Sequence, residues 1–406
     1  MRLFYFKPLT MIVMLLMVIM LEGVMAKEHK KDDNSSIESY KFYNTFIPVV
    51  GVNPTYGTAY GIAFSSGITL GDIATTKMST ITANAIETTK KQTMFLVKSV
   101  GYTDNNDWMF IEDGRLFLSS QDTFGLGTGK TRDGRQQSDL LQEDGQPMDF
   151  DLYRFHFTLA KKLKPSLYLG IGYMYDQYAH IKDVSLDLEN NHTTSYYDYS
   201  MKHGFKLDKA ITSGVSLNLI YDTRDNVTTP YSGMYAFGSF KYFPTFLGSD
   251  KDGSSLWLEF RDYFSLSEEN PRKLLALWSY YSSVTSGDLP YLDLPALGWD
   301  QFGRSGRGYT QGRFRGESIF YTELELRMPL NISKKHPDRY GYTVFANATT
   351  TSNEDRDIKL FNNFQMGAGV GFRYLLNKKS KSYLAIDLAI AENKKTSVYL
   401  NINEAF

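Results

Sequence analysis

Cysteine is absent from the sequence, and histidine is scarce. A chain without cysteine holds no disulfide bonds, and it cannot be anchored as a lipoprotein through an N-terminal cysteine. The six histidines form no H-E-x-x-H motif or other close pair, so neither a metal nor a cofactor is predicted. Basic residues number 44 against 45 acidic ones, which gives no indication of a nucleic-acid partner. The mean hydropathy of -0.33 excludes a protein built mainly of membrane-spanning helices.

The one long apolar run lies near the N-terminus. Residues 9–21 (LTMIVMLLMVIML) follow the basic residues Arg2 and Lys7 and precede the small residue Ala26. This order is typical of a secretory signal peptide that is cleaved after Ala26. The alternative is an N-terminal membrane anchor, but the run is shorter than the roughly 20 residues that a span needs. The sequence therefore predicts a signal peptide at 1–26 and a short polar periplasmic leader at 27–39.

After residue 40, apolar and polar residues alternate in runs of roughly ten, and no helical period is sustained. In one run, Leu167, Leu169 and Ile171 alternate with Tyr168 and Gly170. An aliphatic face opposite a polar one suits strands with lipid on one side and a wet lumen on the other.

These runs predict an all-β fold, a roughly 16-stranded antiparallel transmembrane β-barrel over residues 40–406 with an inward-folded sixth extracellular loop. The predicted strands are 40–52, 57–70, 76–88, 91–102, 107–120, 148–162, 165–178, 213–221, 232–243, 253–266, 273–285, 316–330, 340–349, 364–376, 381–391 and 396–406. A soluble β-sandwich or propeller is the alternative. A propeller would repeat every 40–50 residues or so, and the sequence has no such repeat.

The connections between the predicted strands give an independent check. The long ones, at 121–147, 179–212, 286–315 and 350–363, follow the fifth, seventh, eleventh and thirteenth strands. Bacterial barrels alternate long extracellular loops with short periplasmic turns, so this parity places the long loops outside the cell. The final alternating run ends at Phe406, an aromatic signal typical of strands that an outer-membrane assembly machine recognises.

The predicted sixth extracellular loop contains an unusual stretch, GRSGRGYTQGRFRG at 303–316, with five glycines and four arginines. It is too long for a two-residue turn and too cationic to be buried without partners. Because the guanidinium of Arg307 is always charged, we expect it to tie the loop to acidic residues in the lumen, with Gly306 and Gly308 allowing the tight fold. The alternative is a mobile extracellular arginine loop. Alternation turns five charged residues into the lumen. The proposed lumen partners are Glu323, Glu325, Arg373 and Asp387, and Arg327 points inward as well.

Six segments match a known series of motifs in order. They are FGLG at 124–127, YDTRDN at 221–226 with Pro230 and Gly233, Arg307-Gly308-Tyr309, ELELRMPL at 323–330, GAGVGFRY at 367–374 and LAIDLA at 384–389. Together they resemble the BamA/TamA superfamily, also called the bacterial surface antigen family, whose sixth extracellular loop carries (V/I)RG(F/Y). The resemblance covers residues 40–406 and implies the outer membrane of a Gram-negative cell.

The chain departs from that family in three respects. The family's thirteenth strand commonly carries F-x-D-x-G, where this sequence has Phe345, Asn347 and Thr349. Gly306 stands where the family has a hydrophobic residue before the RGY motif. Family assembly factors also carry N-terminal POTRA domains that receive clients, and the short leader predicts a POTRA-less relative.

Enzymatic interpretations find little support in the residues. The stretch GLGTGKT at 125–131 lacks the first glycine of a phosphate-binding loop, which would fall at Phe124. His156 lies on a predicted strand, but no serine is marked as its partner for a lipase. Asp222, Arg224 and Asp225 are interpreted as turn residues, and the hydrophobic segment 288–300 is expected to pack over the barrel mouth.

The sequence therefore predicts a non-enzymatic barrel that assists insertion or translocation of proteins or lipids at the outer membrane. Its weak seam would lie between the first and last strands. The alternatives are a passive pore, adhesin or receptor barrel and, third, an enzyme with a site at the rim. The resemblance implies outer-membrane lipids and the assembly machinery as partners, together with client proteins or an accessory periplasmic or lipoprotein partner.

Overall fold

A single antiparallel sheet forms the whole fold of this computed structural model, which describes residues 40–53, 57–128, 145–301, 303–378, 381–391 and 396–406. The predicted signal peptide and leader lie outside these described residues. Within the same ranges, no helix is long and apolar enough to cross a membrane.

The described residues form sixteen strands, in agreement with the alternation in the sequence. The strands are β1 Tyr43–Asn53, β2 Gly57–Ile68, β3 Ser79–Thr88, β4 Thr93–Tyr102, β5 Trp108–Thr123, β6 Gln146–Lys164, β7 Leu167–Asp183, β8 Ala210–Asp222, β9 Gly233–Phe243, β10 Gly253–Ser265, β11 Leu274–Gly287, β12 Ser318–Pro329, β13 Tyr340–Thr351, β14 Gln365–Asn377, β15 Ser382–Ala391 and β16 Thr396–Ile402. Each strand pairs with its neighbours along the chain, and β1 meets β16 at Val52 and Val398 to close the barrel.

The predicted inner and outer faces are confirmed. On β7 the side chain of Ile171 is 71% exposed on the lipid-facing side, whereas Tyr168 is 1% exposed inside. On β9, where aromatic residues occupy both faces of the sequence pattern, Tyr235 is buried and Phe240 is exposed. The alternation thus places an apolar exterior against lipid and a polar or aromatic interior around the lumen.

A short helix, α1 (Ser195–Lys202), lies in the loop between β7 and β8, where no helix was predicted. The Thr194 side chain caps it by accepting a hydrogen bond from the backbone N–H of Tyr197 at 3.1 Å. Its eight residues make little more than two turns, which is too short for a helical period to stand out in the sequence. The helix buries Tyr196 and Tyr199 against the start of the sixth loop.

The sixth loop, residues 288–317, enters the barrel from the extracellular end. Its first segment buries Leu289, Tyr291 and Leu292, and the Tyr199 hydroxyl on α1 donates to the Leu289 carbonyl at 2.9 Å. The hydrophobic segment 288–300 was expected to pack over the barrel mouth. In the structure it packs inside the mouth.

The last strand is shorter than the sequence suggests. Alternation predicts a strand that continues to Phe406, but β16 ends at Ile402 and Asn403 adopts a positive φ of 69°. Phe406 lies inside the barrel at 2% exposure, with its ring centroid 5.3 Å from that of Trp278. The end of the chain therefore turns into the lumen.

Candidate functional site

The glycines of the sixth loop allow a backbone path that other residues would strain. Gly306 and Gly308 have φ values of 78° and 109°, which favour glycine strongly. A Cβ atom at Gly306 would lie 2.4 Å from the Leu297 side chain. A hydrophobic residue before the RGY motif therefore does not fit this loop, which accounts for Gly306 at that position.

Three glycines on the inner face of β14 make room for the loop. A Cβ at Gly367 would lie 2.8 Å from the carbonyl oxygen of Arg307. A Cβ at Gly369 would lie 2.4 Å from the Phe345 ring, and one at Gly371 would lie 2.1 Å from Asp387. The alternating glycines of GAGVGFRY thus leave room for the Arg307 backbone and for Phe345 and Asp387, which contact the Arg307 guanidinium.

Arg307 is 3% exposed and is surrounded by carboxylates. Its Nη2 donates to Glu323 Oε1 at 2.5 Å and also to Glu325 Oε2, and its Nη1 donates to Asp387 Oδ2 at 2.9 Å. The guanidinium carbon stands 3.5 Å from the centre of the Phe345 ring, which covers its face. The structure thus brings Arg307 into contact with three of the proposed lumen partners, Glu323, Glu325 and Asp387.

The charge cluster continues beyond Arg307. Arg327 donates to Glu325 at 2.6 Å, and Arg373 donates to Asp387 at 2.6 Å and to Glu404 at 2.7 Å. Each carboxylate of the cluster therefore has an arginine partner, which satisfies the requirement for burying such charges.

Burial alone would lower the pKa of Arg307, but Glu323, Glu325 and Asp387 together raise that pKa well above its usual value. The guanidinium therefore stays charged at every physiological pH.

Asn347, at the position where the family has an aspartate, donates to the Arg307 carbonyl oxygen at 3.0 Å.

The other motif residues, Gly308 and Tyr309, fix the loop tip to two strands. The N–H of Gly308 donates to the Tyr399 hydroxyl on β16 at 3.0 Å. The Tyr309 hydroxyl donates to the Met366 carbonyl on β14 at 2.5 Å. Ser397 on β16 donates to the Gly308 carbonyl at 3.4 Å. The RGY motif thus contacts β14 and β16, in addition to the carboxylates on β12 and β15.

Two further arginines of the loop were not singled out from the sequence. Arg315 donates to the carbonyls of Tyr291, Leu292 and Leu294 and so folds the loop onto itself. Arg304 donates to the carbonyls of Ile402 and Glu404. Both roles depend on main-chain acceptors, which leave no signal in residue types.

The Arg304 guanidinium remains protonated despite its surroundings. Burial lowers its pKa to about 10, although Asp300, Asp387 and Glu404 act to raise it. At neutral pH it therefore donates as a cation, which strengthens its bonds to the two carbonyls.

The residues considered for catalysis have structural partners. His156 Nε2 lies 2.9 Å from Asp176 Oδ2, and Arg154 bonds the same carboxylate at 2.6 Å. They line a cavity of about 170 Å³ between the loop and the barrel wall. Of GLGTGKT, the Gly127 N–H donates to the Arg315 carbonyl at 2.8 Å, while residues 129–131 lie outside the described residues. Over the described ranges, no group of three or more acidic or histidine side chains is arranged to hold a metal ion.

The turn between β8 and β9 closes the other end of the lumen. Asp222 and Arg224 form a buried ion pair at 3.0 Å that fixes the start of the turn. Farther along, the Tyr231 and Tyr383 hydroxyls lie 2.7 Å apart, and Lys381 pairs with Asp225 at 2.5 Å. Because β10 to β14 separate the turn from Lys381 and Tyr383 along the wall, the turn must cross the periplasmic mouth to reach them.

Three solved structures are similar to this chain. BamA from Haemophilus ducreyi, in a crystal structure lacking POTRA domains 1–3, is similar at 16% sequence identity with a TM-score of 0.54, covering 89% of this chain and 69% of that one. CdiB from Escherichia coli is similar at 12% identity with a TM-score of 0.53, covering 89% of this chain and 62% of that one. CdiB from Acinetobacter baumannii shares 11% identity with a TM-score of 0.49, covering 89% of this chain and 59% of that one. The chain thus spans less than two thirds of either CdiB chain.

No protein of curated function matches the sequence. The model of the Omp85 superfamily domain matches residues 101–397, which is well over half of the chain. With the sixteen-stranded barrel and the anchored RGY loop, this match assigns the protein to a family of the outer membrane. The chain belongs to the Omp85 superfamily of outer-membrane β-barrels.

Proposed function

We propose that this barrel assists the insertion or translocation of proteins or lipids at the outer membrane. The observation that carries the proposal is the short seam between the first and last strands. Among the described residues, β1 pairs with β16 at Val52 and Val398. On its other side, β16 pairs with β15 from Ile402 opposite Leu384 to Thr396 opposite Ile390.

A short seam has two physical consequences. Each ladder hydrogen bond that is missing from the seam lowers its stability by about 0.5–1.5 kcal/mol. The two strands therefore separate more easily here than at a fully paired boundary. The freed strand edges also present N–H and C=O groups that can pair with another extended chain. An incoming strand could therefore be paired by backbone hydrogen bonds before it leaves the barrel.

The surroundings of the seam are suited to the transfer of a paired chain into lipid. Phe46 on β1 is 70% exposed and Val398 on β16 is 44% exposed, both on the outer surface. A chain paired at this edge already lies beside the hydrocarbon layer. Its own apolar face then enters lipid without crossing a polar barrier.

The lumen itself is a poor route for a solute. The sixth loop occupies it from the extracellular end, and the β8–β9 turn crosses its periplasmic mouth. This double closure favours the seam over the passive-pore alternative, and we expect low single-channel conductance. An adhesin or receptor role would depend on the extracellular loops alone.

Depletion of the protein tests the proposal. Cells that lack it should lose several outer-membrane proteins or the asymmetry of their lipids, and a plasmid-borne copy should restore them. Loss of one solute's uptake or one phage's infection, with normal outer-membrane proteins and lipids, would instead support the passive alternative. The client proteins and any accessory periplasmic or lipoprotein partner would be recovered by cross-linking from the β1 edge.

A further inference from the structure

Four aromatic residues form a cluster on the outer surface, where β13 begins and β14 approaches its end. Tyr340 pairs across the two strands with Tyr374, and Tyr342 pairs with Phe372. The Tyr340 ring centroid lies 5.6 Å from that of Tyr374 and 6.2 Å from that of Phe372. Tyr342 and Phe372 are each 37% exposed on the lipid-facing side. Aromatic girdles of membrane barrels lie at the boundary between hydrocarbon and headgroups, so this cluster indicates where that boundary crosses the wall.

The turn that joins β12 to β13, residues 330–339, lies directly beyond the aromatic cluster. Loop six runs from the extracellular end into the start of β12, so the far end of β12 and this turn face the periplasm. The Leu330 N–H closes the turn by donating to the Tyr340 carbonyl at 3.0 Å, and the Arg339 N–H folds it by donating to the His336 carbonyl at 3.2 Å. The folded turn therefore stays close to the membrane boundary.

The turn carries unpaired positive charge. Lys334 and Lys335 are exposed, and neither forms an ion pair within the described part of the chain. The one acidic residue of the turn, Asp338, pairs with Lys378 of the β14–β15 turn at 3.1 Å. The adjacent β10–β11 turn leaves the balance unchanged, since it adds two acidic and two basic residues, Glu268, Glu269, Arg272 and Lys273.

Arg339 connects this charge to the aromatic cluster. Its guanidinium carbon lies 5.7 Å from the centre of the Tyr374 ring, and its Nη1 donates to the Tyr374 hydroxyl at 3.4 Å. It forms no ion pair with any carboxylate that the structure describes. Ile332, in the same turn, is 64% exposed. Unpaired cations beside an exposed apolar side chain and an aromatic girdle suit a lipid, which offers a charged headgroup next to acyl chains.

We propose that Arg339, Lys334 and Lys335 form a binding site for the phosphate headgroup of an anionic phospholipid, of the phosphatidylglycerol type, in the periplasmic leaflet of the outer membrane. The guanidinium has a planar fork of donors that matches two phosphate oxygens. The two lysines add attraction for the negative headgroup. The aromatic cluster and Ile332 contact the glycerol and acyl regions. The site lies on β13 and β14, away from the seam between β1 and β16, so it does not depend on the proposed function.

Lipid titration of the purified barrel in neutral detergent, followed by native mass spectrometry, measures the site. The natural barrel should bind short-chain phosphatidylglycerol about tenfold more tightly than phosphatidylcholine with the same chains, because only the former has a net negative headgroup. Lys334→Ser with Lys335→Ser should remove most of this preference and leave phosphatidylcholine binding unchanged. Arg339→Lys, which keeps the charge but loses the fork of donors, should remove part of it.

The matched control is Lys206→Ser with Lys359→Ser, which removes the same charge from two exposed lysines of the extracellular loops. Its preference for phosphatidylglycerol should equal that of the natural barrel. An equal loss in the control would overturn the proposal, because net charge alone would then explain the preference. Equal affinity of the natural barrel for the two lipids would overturn it as well.

Inorganic phosphate separates a lipid site from a site for free phosphate. Equimolar phosphate should displace little of the bound phosphatidylglycerol, because it has no acyl chains to contact Ile332 and the aromatic cluster. Complete displacement would overturn the assignment of a lipid. The lysine substitutions lie on an exposed turn and should leave the heat-resistant folded form intact, so they carry the comparison if Arg339→Lys does not fold. The titration uses purified barrel, so its outcome is separate from that of the depletion experiment.

Discussion

The side-chain amide of Asn347 donates hydrogen bonds to the Arg307 carbonyl oxygen at 3.0 Å and to Glu323 Oε2 at 3.4 Å. Both acceptors are buried, and an amide can donate to both where a carboxylate cannot. The acid that the family commonly has at this position is therefore not needed here to hold the loop. Arg307 has three carboxylate partners without it, namely Glu323, Glu325 and Asp387.

Asn347→Asp should accordingly weaken the barrel, although it restores the family's residue. The new carboxylate would face Glu323 and lose both donations, which should lower the free energy of unfolding by about 1–3 kcal/mol. The measurement is the temperature at which the compact gel band converts to the unfolded one. Asn362→Asp, in an exposed loop, is the matched control and should leave that temperature unchanged. A variant at 347 as heat-resistant as the natural protein would contradict this account.

Arg307→Ala should have a larger effect, because it leaves Glu323, Glu325 and Asp387 buried without their shared cation. Removing one member of a buried ion cluster destabilises by about 3–5 kcal/mol. The same gel assay measures it, with Arg313→Ala as the control. Adding Glu323→Gln to the Arg307 variant should restore part of the lost heat resistance, since it removes one uncompensated charge. Equal heat resistance of Arg307→Ala and the natural protein would contradict the anchoring role.

The charge cluster shows what alternation can and cannot predict. Glu323 and Glu325 were expected to point inward because side chains two residues apart share one face of a strand. The pairing of Arg307 with Asp387 on a strand 80 residues away needs the closed barrel to bring the two together. Alternation placed Glu323, Glu325, Arg327, Arg373 and Asp387 on inner faces, whereas Glu404, which lies after the last strand and bonds Arg373, could not be named from it.

The last strand shows a different limit. Alternation continues to Phe406, so the local pattern is that of a longer strand. Tertiary contacts prevail, because Arg304 holds the strand end and Trp278 packs against the Phe406 ring. Helix α1 was missed for the opposite reason, since its local pattern is too short to recognise.

The pH dependence of stability should carry a contribution from Asp293 in loop six. Burial raises the pKa of this carboxyl to about 7, and Asp176 adds to the rise while Arg154 and Arg315 oppose it. The folded protein thus holds the proton more tightly than the unfolded chain, whose aspartate pKa is about 3.9. Stability from this group is present at low pH and is lost as the pH rises through about 7.

Asp293→Asn removes that titration and keeps an oxygen that can accept from Thr212, which now donates to Asp293 at 2.9 Å. The variant should unfold at a slightly higher temperature than the natural protein at pH 5, where part of the contribution is already lost, and at a much higher temperature at pH 8. Thermal unfolding followed by circular dichroism at both pH values measures the difference. If the unfolding temperatures of the variant and the natural protein differed by the same amount at both pH values, the pH dependence could not come from Asp293.

Conductance should depend on two closures in series. Asp225→Ala with Tyr231→Phe removes the contacts of the β8–β9 turn with Lys381 and Tyr383, but loop six still fills the lumen. Arg307→Ala loosens loop six while the turn still crosses the periplasmic mouth. The two turn substitutions alone, or Arg307→Ala alone, should leave single-channel conductance low. All three substitutions together should raise it. High conductance from either set alone would show that only one closure matters.

The central claim is that the short seam between β1 and β16 is the working part of the barrel. It is tested most directly by V52C with V398C, which places the only two thiols of the chain at the paired position. In cells depleted of the natural protein, this variant should restore outer-membrane proteins and lipid asymmetry when reduced and fail to do so when the disulfide locks the seam. Full restoration by the oxidised, verifiably cross-linked variant would contradict the claim.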